Sequence, residues 1–185
     1  MKKLILILLF TPLILISQDG LVTTHNKSGE IVSEYNYKDD KLHGWFKRYD
    51  GSLIEEEGSY KYGERHGLNK TYYTYGDYAI MSETNFRNGY EEGERRTYFQ
   101  NGQIESINNY EFGELSGKQT TYYENGNIWQ IEYYRVVKTL VAVFSEEHGR
   151  WRMYYENGDI MMEQKWDRGN EIYSKEWDEE GNLID

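Results

Sequence analysis

A glycine returns along the chain at Gly29, Gly51, Gly76, Gly102, Gly126, Gly158 and Gly181, at spacings of 22, 25, 26, 24, 32 and 23 residues. Two positions after each stands an apolar or aromatic residue: Ile31, Leu53, Tyr78, Ile104, Ile128, Ile160 and Leu183. A further aromatic slot holds Tyr37, Tyr60, Phe86, Tyr110, Tyr134 and Trp166. Aromatic pairs then lead into the later turns: Tyr72-Tyr73, Tyr98-Phe99, Tyr122-Tyr123 and Tyr154-Tyr155. A period of this order marks one supersecondary unit repeated, each unit contacting mainly its neighbours. A chain so constrained folds as an array, not around one mixed core.

Each unit predicts two strands and two turns. Asn101-Gly102, Asn125-Gly126, Asn157-Gly158 and Asp50-Gly51 suit two-residue type I′ hairpin loops, where both central residues take positive φ. The intervening residues are rich in Tyr, Trp, Ile, Val and Thr, which fit a pleated strand, and no helical period is sustained. With Asn125-Gly126 as the loop, Tyr123 is expected opposite Ile128 and Tyr122 opposite Trp129; likewise Phe99 faces Ile104 and Tyr155 faces Ile160. Each isoleucine is expected to share a face with the aromatic six residues on. The expected fold is all-β: an elongated single-layer antiparallel meander of six to seven stacked β-hairpins over residues 18–185. Aromatic–aliphatic cross-strand pairs, at ~0.2–1 kcal/mol each, take the place of a globular core.

The segment Gly117-Lys-Gln-Thr-Thr-Tyr-Tyr-Glu-Asn-Gly-Asn-Ile resembles the G-x-x-x-x-Y-Y-x-N-G-x-L core of the bacterial variant of the MORN repeat. The resemblance runs from about Lys27 to Asp185. It implies a stacked-hairpin fold. Bacterial proteins of this build include the YwqK-type antitoxin family, proposed partners of secreted toxins, and MORN repeats elsewhere serve as scaffolds and have been suggested to touch lipid headgroups. No catalytic residue belongs to the motif, so none is carried over.

Lys2 and Lys3 precede an apolar run from Leu4 to Ile16, broken only by Thr11 and Pro12, and Ser17 offers a small residue for cleavage. This pattern predicts a secretory signal over residues 1–17, too short to span a bilayer comfortably. The protein is therefore expected to be exported, to the periplasm, the cell surface or the medium, touching a membrane only through that segment if it is retained. With no cysteine there is no disulfide framework, thiolate metal site or cysteine nucleophile. A net charge of −11 argues against nucleic acid.

No serine-nucleophile elbow, phosphate loop or zinc-protease motif is present, so a non-enzymatic protein without cofactor or metal is expected. His43, His66 and His148 each precede a glycine and mark a turn position. Glu55-Glu56-Glu57, Glu91-Glu92, Glu146-Glu147 and Glu179-Glu180 lie in or beside turns and are expected to form solvated faces. Residues 135–148 are anomalous: Gly149 stands fifteen positions after Tyr134 where the sibling units need seven. This insertion is the most apolar run outside the leader. It forms either a longer hairpin that shields the sheet or a docking surface built of Val137, Leu140, Val141, Val143 and Phe144. Trp129, Tyr122 and Tyr154 are candidate partner contacts, since aromatic rows anchor proteins or stack on sugars when not covering one another. The expected function is an antitoxin- or immunity-like protein engaging a basic protein or toxin domain by charge. The alternative is an envelope scaffold contacting polysaccharide.

Overall fold

The computed structural model describes residues 19–184, and within them the chain is one open antiparallel sheet with no helix. The export signal expected over residues 1–17 lies outside the described residues. The first strands are β1 (Gly20–His25), β2 (Ile31–Lys38), β3 (Lys41–Asp50), β4 (Leu53–Lys61), β5 (Glu64–Arg65) and β6 (Gly67–Tyr72). There follow β7 (Ile80–Arg87), β8 (Tyr90–Tyr98), β9 (Ile104–Glu111), β10 (Glu114–Leu115) and β11 (Gly117–Tyr122). β12 (Ile128–Lys138), β13 (Val143–Glu147), β14 (Gly149–Tyr154), β15 (Ile160–Asp167) and β16 (Asn170–Glu176) complete the sheet. The strands follow one another in sequence order across the sheet, and β5, β10 and β13 are side arms, each paired only with β4, β9 and β12 respectively. The expected single-layer hairpin meander is the observed fold.

The two kinds of turn exchange the roles expected of them. The Asn-Gly loops hold three residues: Gly126 N–H donates to Tyr123 O and Tyr123 N–H to Asn127 O. Of these loop residues only Gly126 has positive φ, at 88°. Tyr122 therefore pairs with Ile128, not with Trp129. Trp129 is left as a bulge, and the expected register returns at Thr121↔Gln130. The same shift puts Tyr98 opposite Ile104 and Tyr154 opposite Ile160. Because a bulge breaks strict alternation, Ile104 lies on the face of Tyr98 and not on that of Tyr110. The two-residue loops with positive φ at both positions sit at the other end: Asp39-Asp40, Tyr62-Gly63, Asn88-Gly89, Phe112-Gly113 and Arg168-Gly169. There the glycine N–H reaches back to the preceding unit, Gly63 to Leu42 O, Gly89 to Arg65 O, Gly113 to Glu91 O and Gly169 to Glu147 O.

Two residue rows cross the whole sheet. One face carries Glu34, Lys47, Glu57, Lys70, Glu83 and Arg96 directly opposite one another in succession. This ladder continues as Ile107, Thr120, Ile131, Arg152, Glu163 and Lys175. On the opposite face the matching row contains the hydroxyl pairs Thr24–Ser33 (2.6 Å), Thr71–Ser82 (2.7 Å) and Thr97–Ser106 (2.8 Å). Alternating charges and Thr–Ser pairs are favourable cross-strand neighbours.

The interior is less apolar than the cross-strand aromatic stack expected from sequence. Phe46 is the one large apolar side chain fully buried among the described residues. Its ring stacks on Tyr35 at 5.5 Å and meets Tyr60 at 5.0 Å. Arg65 then bridges the rings of Phe46 (5.5 Å) and Phe86 (5.4 Å). Rings resume at Tyr134, Trp151 and Trp166, each 5.2 Å from the next. The other buried groups are polar and include Glu56, Asn69, Ser82, Ser106 and Gln119. Gln119 takes the Asn109 N–H and donates to the Asn109 and Ser116 carbonyls. A single layer has no second sheet to bury a hydrocarbon core, so hydrogen-bonded side chains fill its covered face.

Candidate functional site

The insertion forms a long hairpin, β12 with β13, paired from Tyr134↔Glu147 to Lys138↔Val143. Its tip is ordered by one side chain: Thr139 Oγ1 accepts from the N–H groups of Val141 and Ala142, and Thr139 N–H donates to Ala142 O. Its stem is fastened to the neighbouring turn. Lys138 Nζ donates to Glu111 at 2.7 Å and lies 4.1 Å above the Phe112 ring. Glu114 receives both Ser145 N–H (3.2 Å) and its hydroxyl (3.0 Å), and Arg135 pairs with Glu146 across the strands. The hairpin thus holds Leu140 and Val141 in water, at 105% and 94% exposure. Val143 and Phe144 are partly exposed and Val137 is half-buried opposite Phe144.

Trp129, Tyr122 and Tyr154 are not part of that tip. They lie at the opposite end of β12, which at ~3.4 Å per residue is about 30 Å away. Ile128, Tyr154, Gly126 and Gly158 frame a groove of about 350 Å³ there. The eight candidate residues therefore divide into two separate surfaces.

The paired aromatics have distinct jobs in the sheet. The first member of a pair, or Tyr49 at the same position before Asp50, caps the ladder glutamate fifteen residues earlier: Tyr49 to Glu34 (2.6 Å), Tyr72 to Glu57 (2.6 Å) and Tyr98 to Glu83 (2.8 Å). That hydrogen bond pushes the Tyr49 phenol up to about 12, and burial together with Glu57 pushes Tyr72 up as well. Lys70, then the Tyr98 hydroxyl, hold Glu83 below its ordinary range. Tyr122 and Tyr154 stand where the corresponding ladder residues are Ile107 and Ile131, so neither has a glutamate beneath it. The second member ties units together: Tyr73, Tyr123 and Tyr155 donate to the carbonyls of Tyr98, Tyr154 and Trp177.

Glu55-Glu56-Glu57 is not the solvated run expected from sequence. Glu56 is 6% exposed. Its carboxylate accepts from Arg48 (3.0 Å) and Asn69 (3.1 Å) and pairs with Arg65 at 2.6 Å, while Arg48 also holds Glu55 at 2.8 Å. The bulge beyond Glu57, where residues 66–69 face only 58 and 59, turns Arg65 and Asn69 toward Glu56. A groove of about 460 Å³ opens beside this cluster, lined by Arg48, Glu55, Tyr73, Tyr75 and Met81. Sequence reading missed it, although Arg48↔Glu56 follows from the register alone. Its charges are internally satisfied.

Four segments of the chain, residues 18–39, 91–111, 115–135 and 147–167, match the family model of the MORN repeat variant. No curated protein matches the chain. MORN repeats are in general non-catalytic modules that bind proteins or membranes. The unmatched units between residues 40 and 90 carry the same tyrosine–glutamate cap and the same turn-to-turn hydrogen bonds.

Proposed function

We propose that this chain is a non-enzymatic, exported protein-binding module, antitoxin- or immunity-like in the manner of YwqK-type repeat proteins, that engages a basic protein. One observation carries the reading: a hairpin braced by Lys138, Arg135 and Ser145 displays Leu140 and Val141 entirely in solvent. An apolar pair held out by a rigid stem is a ready anchor for a pocket on another protein. Glu111, Glu114, Glu146 and Glu147 surround its base, and the whole chain carries −11, which favours a cationic partner and speeds its encounter.

The test uses Leu140→Ser with Val141→Ser. Both side chains are at the exposed tip, so thermal unfolding should not change. Cross-linking in the native host should give a basic partner with the unaltered chain, lost with the double variant and weakened by salt. An acidic partner, or capture that ignores the tip, refutes the reading.

A further inference from the structure

A basic face interrupts this acidic protein. On the ladder face of the last units, Lys118 stands directly opposite Tyr133, and Arg150 opposite Lys165, which is in turn opposite Tyr173. Arg152 and Lys175 flank Glu163 in the adjoining row. Glu163 is fully engaged, accepting from Arg152 Nε at 2.9 Å and from the Tyr173 hydroxyl at 2.8 Å. Lys118, Arg150 and Lys165 form no ion pair with any carboxylate among the described residues.

Arg150 and Lys165 are like charges in direct cross-strand opposition, an arrangement that costs stability. The Glu34-to-Arg96 stretch of the ladder shows what the sheet does when only stability matters: every rung there alternates in sign. Beside the unpaired cations a cavity of about 480 Å³ is lined by Ile131, Tyr133, His148, Gly149, Arg150 and Arg152. Tyr133 is 37% exposed. Gly149, at φ +82°, would bring a β-carbon to 3.2 Å from Tyr133 Cβ, so a glycine keeps that flank of the ring clear.

We propose that this face binds an acidic sugar, with the ring of Tyr133 stacked on the pyranose and Arg150, Lys165 and Lys118 taking its carboxylate groups. The shape of the site selects this occupant. β11, β12, β14 and β15 are interior strands paired on both sides, so no backbone edge is free for an added peptide strand. Recognition has to come from side chains standing off the sheet, an aromatic platform between cations. Nucleic acid needs a wider cationic footprint than these few groups inside a chain of −11.

The experiment is calorimetric titration of the full chain with hexuronate oligosaccharides, oligogalacturonate and oligoalginate, against neutral gluco-oligosaccharides of equal length. At least one hexuronate should bind and the neutral sugars should not. Arg150→Gln, Lys165→Gln and Tyr133→Ala should each weaken binding about tenfold, while Lys47→Gln in the charge-balanced rungs should leave it unchanged. Unfolding midpoints give an independent readout. Arg150→Gln and Lys165→Gln relieve repulsion and should hold or raise the midpoint, whereas a structural role would lower it. Absence of hexuronate binding, equal binding of neutral sugars, insensitivity to Arg150 and Lys165, or preference for polyglutamate or a single-stranded oligonucleotide overturns the proposal.

Discussion

The sheet is built twice from the same unit and finished differently. From β2 to β8 the ladder alternates acid and base, and each glutamate is capped by a tyrosine hydroxyl. From β9 to β12 the corresponding ladder residues are Ile107, Thr120 and Ile131, which leave Tyr122 and Tyr154 without a carboxylate. On the other face, the Thr–Ser pairs of the first half give way to Thr121↔Gln130 and Met153↔Met162. The long hairpin and the unpaired cations both belong to the second half. Slots that are satisfied within the array have nothing to offer a partner, and the divergent half is where such slots fall open.

The sharpest break of this comparison should come from Phe46. Phe46→Ala should cost ~3–5 kcal/mol in urea unfolding, whereas Trp151→Ala, partly exposed in the same kind of row, should cost about 2 kcal/mol. Next is Glu56→Gln, expected to cost about 2 kcal/mol, since the amide oxygen can still accept from Asn69 but Arg65 loses its buried negative partner and Arg48 meets an NH2 group in place of Oε2. Equal losses from comparable changes in the second half would erase the distinction between the halves.

Tyr72→Phe removes a hydrogen bond to a carboxylate and should cost ~1–2 kcal/mol, while Tyr122→Phe should stay within about 0.5 kcal/mol. Alkali sharpens the same contrast. The Tyr49 phenol sits at about 12 when folded against 10.0 when free. A folded value raised above the unfolded one gives stability complete below the lower value and lost as pH rises through the higher. Unfolding followed between those two pH values should therefore show a steeper fall for the unaltered chain than for Tyr49→Phe. In acid the sign reverses: Glu83 is lowered from 4.5, so its contribution holds above that pH and fades as pH drops through the folded value. The smallest effect is expected from Ile107→Glu, which restores an acid beneath Tyr122 opposite Arg96. Stability should move by less than about 0.5 kcal/mol in urea unfolding.

The array was legible because glycine spacing and aromatic periodicity are local properties of the chain, and they forced a hairpin meander. Turn type was not. Positive φ at Tyr62 and Phe112 is imposed by the tight strand pairing on either side of them, against the ordinary preference of those residues. Asn125 looked like a type I′ residue, yet only Gly126 after it takes that conformation. Glu56 looked solvated because its partners Arg48, Arg65 and Asn69 arrive from three strands and only a bulge aims them inward. The basic face was hidden for a related reason: Lys118, Arg150 and Lys165 are scattered in sequence and meet only through register. The apolar hairpin could be found because an insertion announces itself as a break in period.

Phe99 occupies the place where Tyr73, Tyr123 and Tyr155 tie their unit to the next carbonyl, and it has no hydroxyl to do so. The two turns at that junction therefore lack the phenol bond, and the Asn101 amide donating to Glu124 is the side-chain tie that joins them, between the charge-balanced half and the divergent one. Pulled from its two ends, the molecule should part there first, so that one portion can yield while the other keeps its shape.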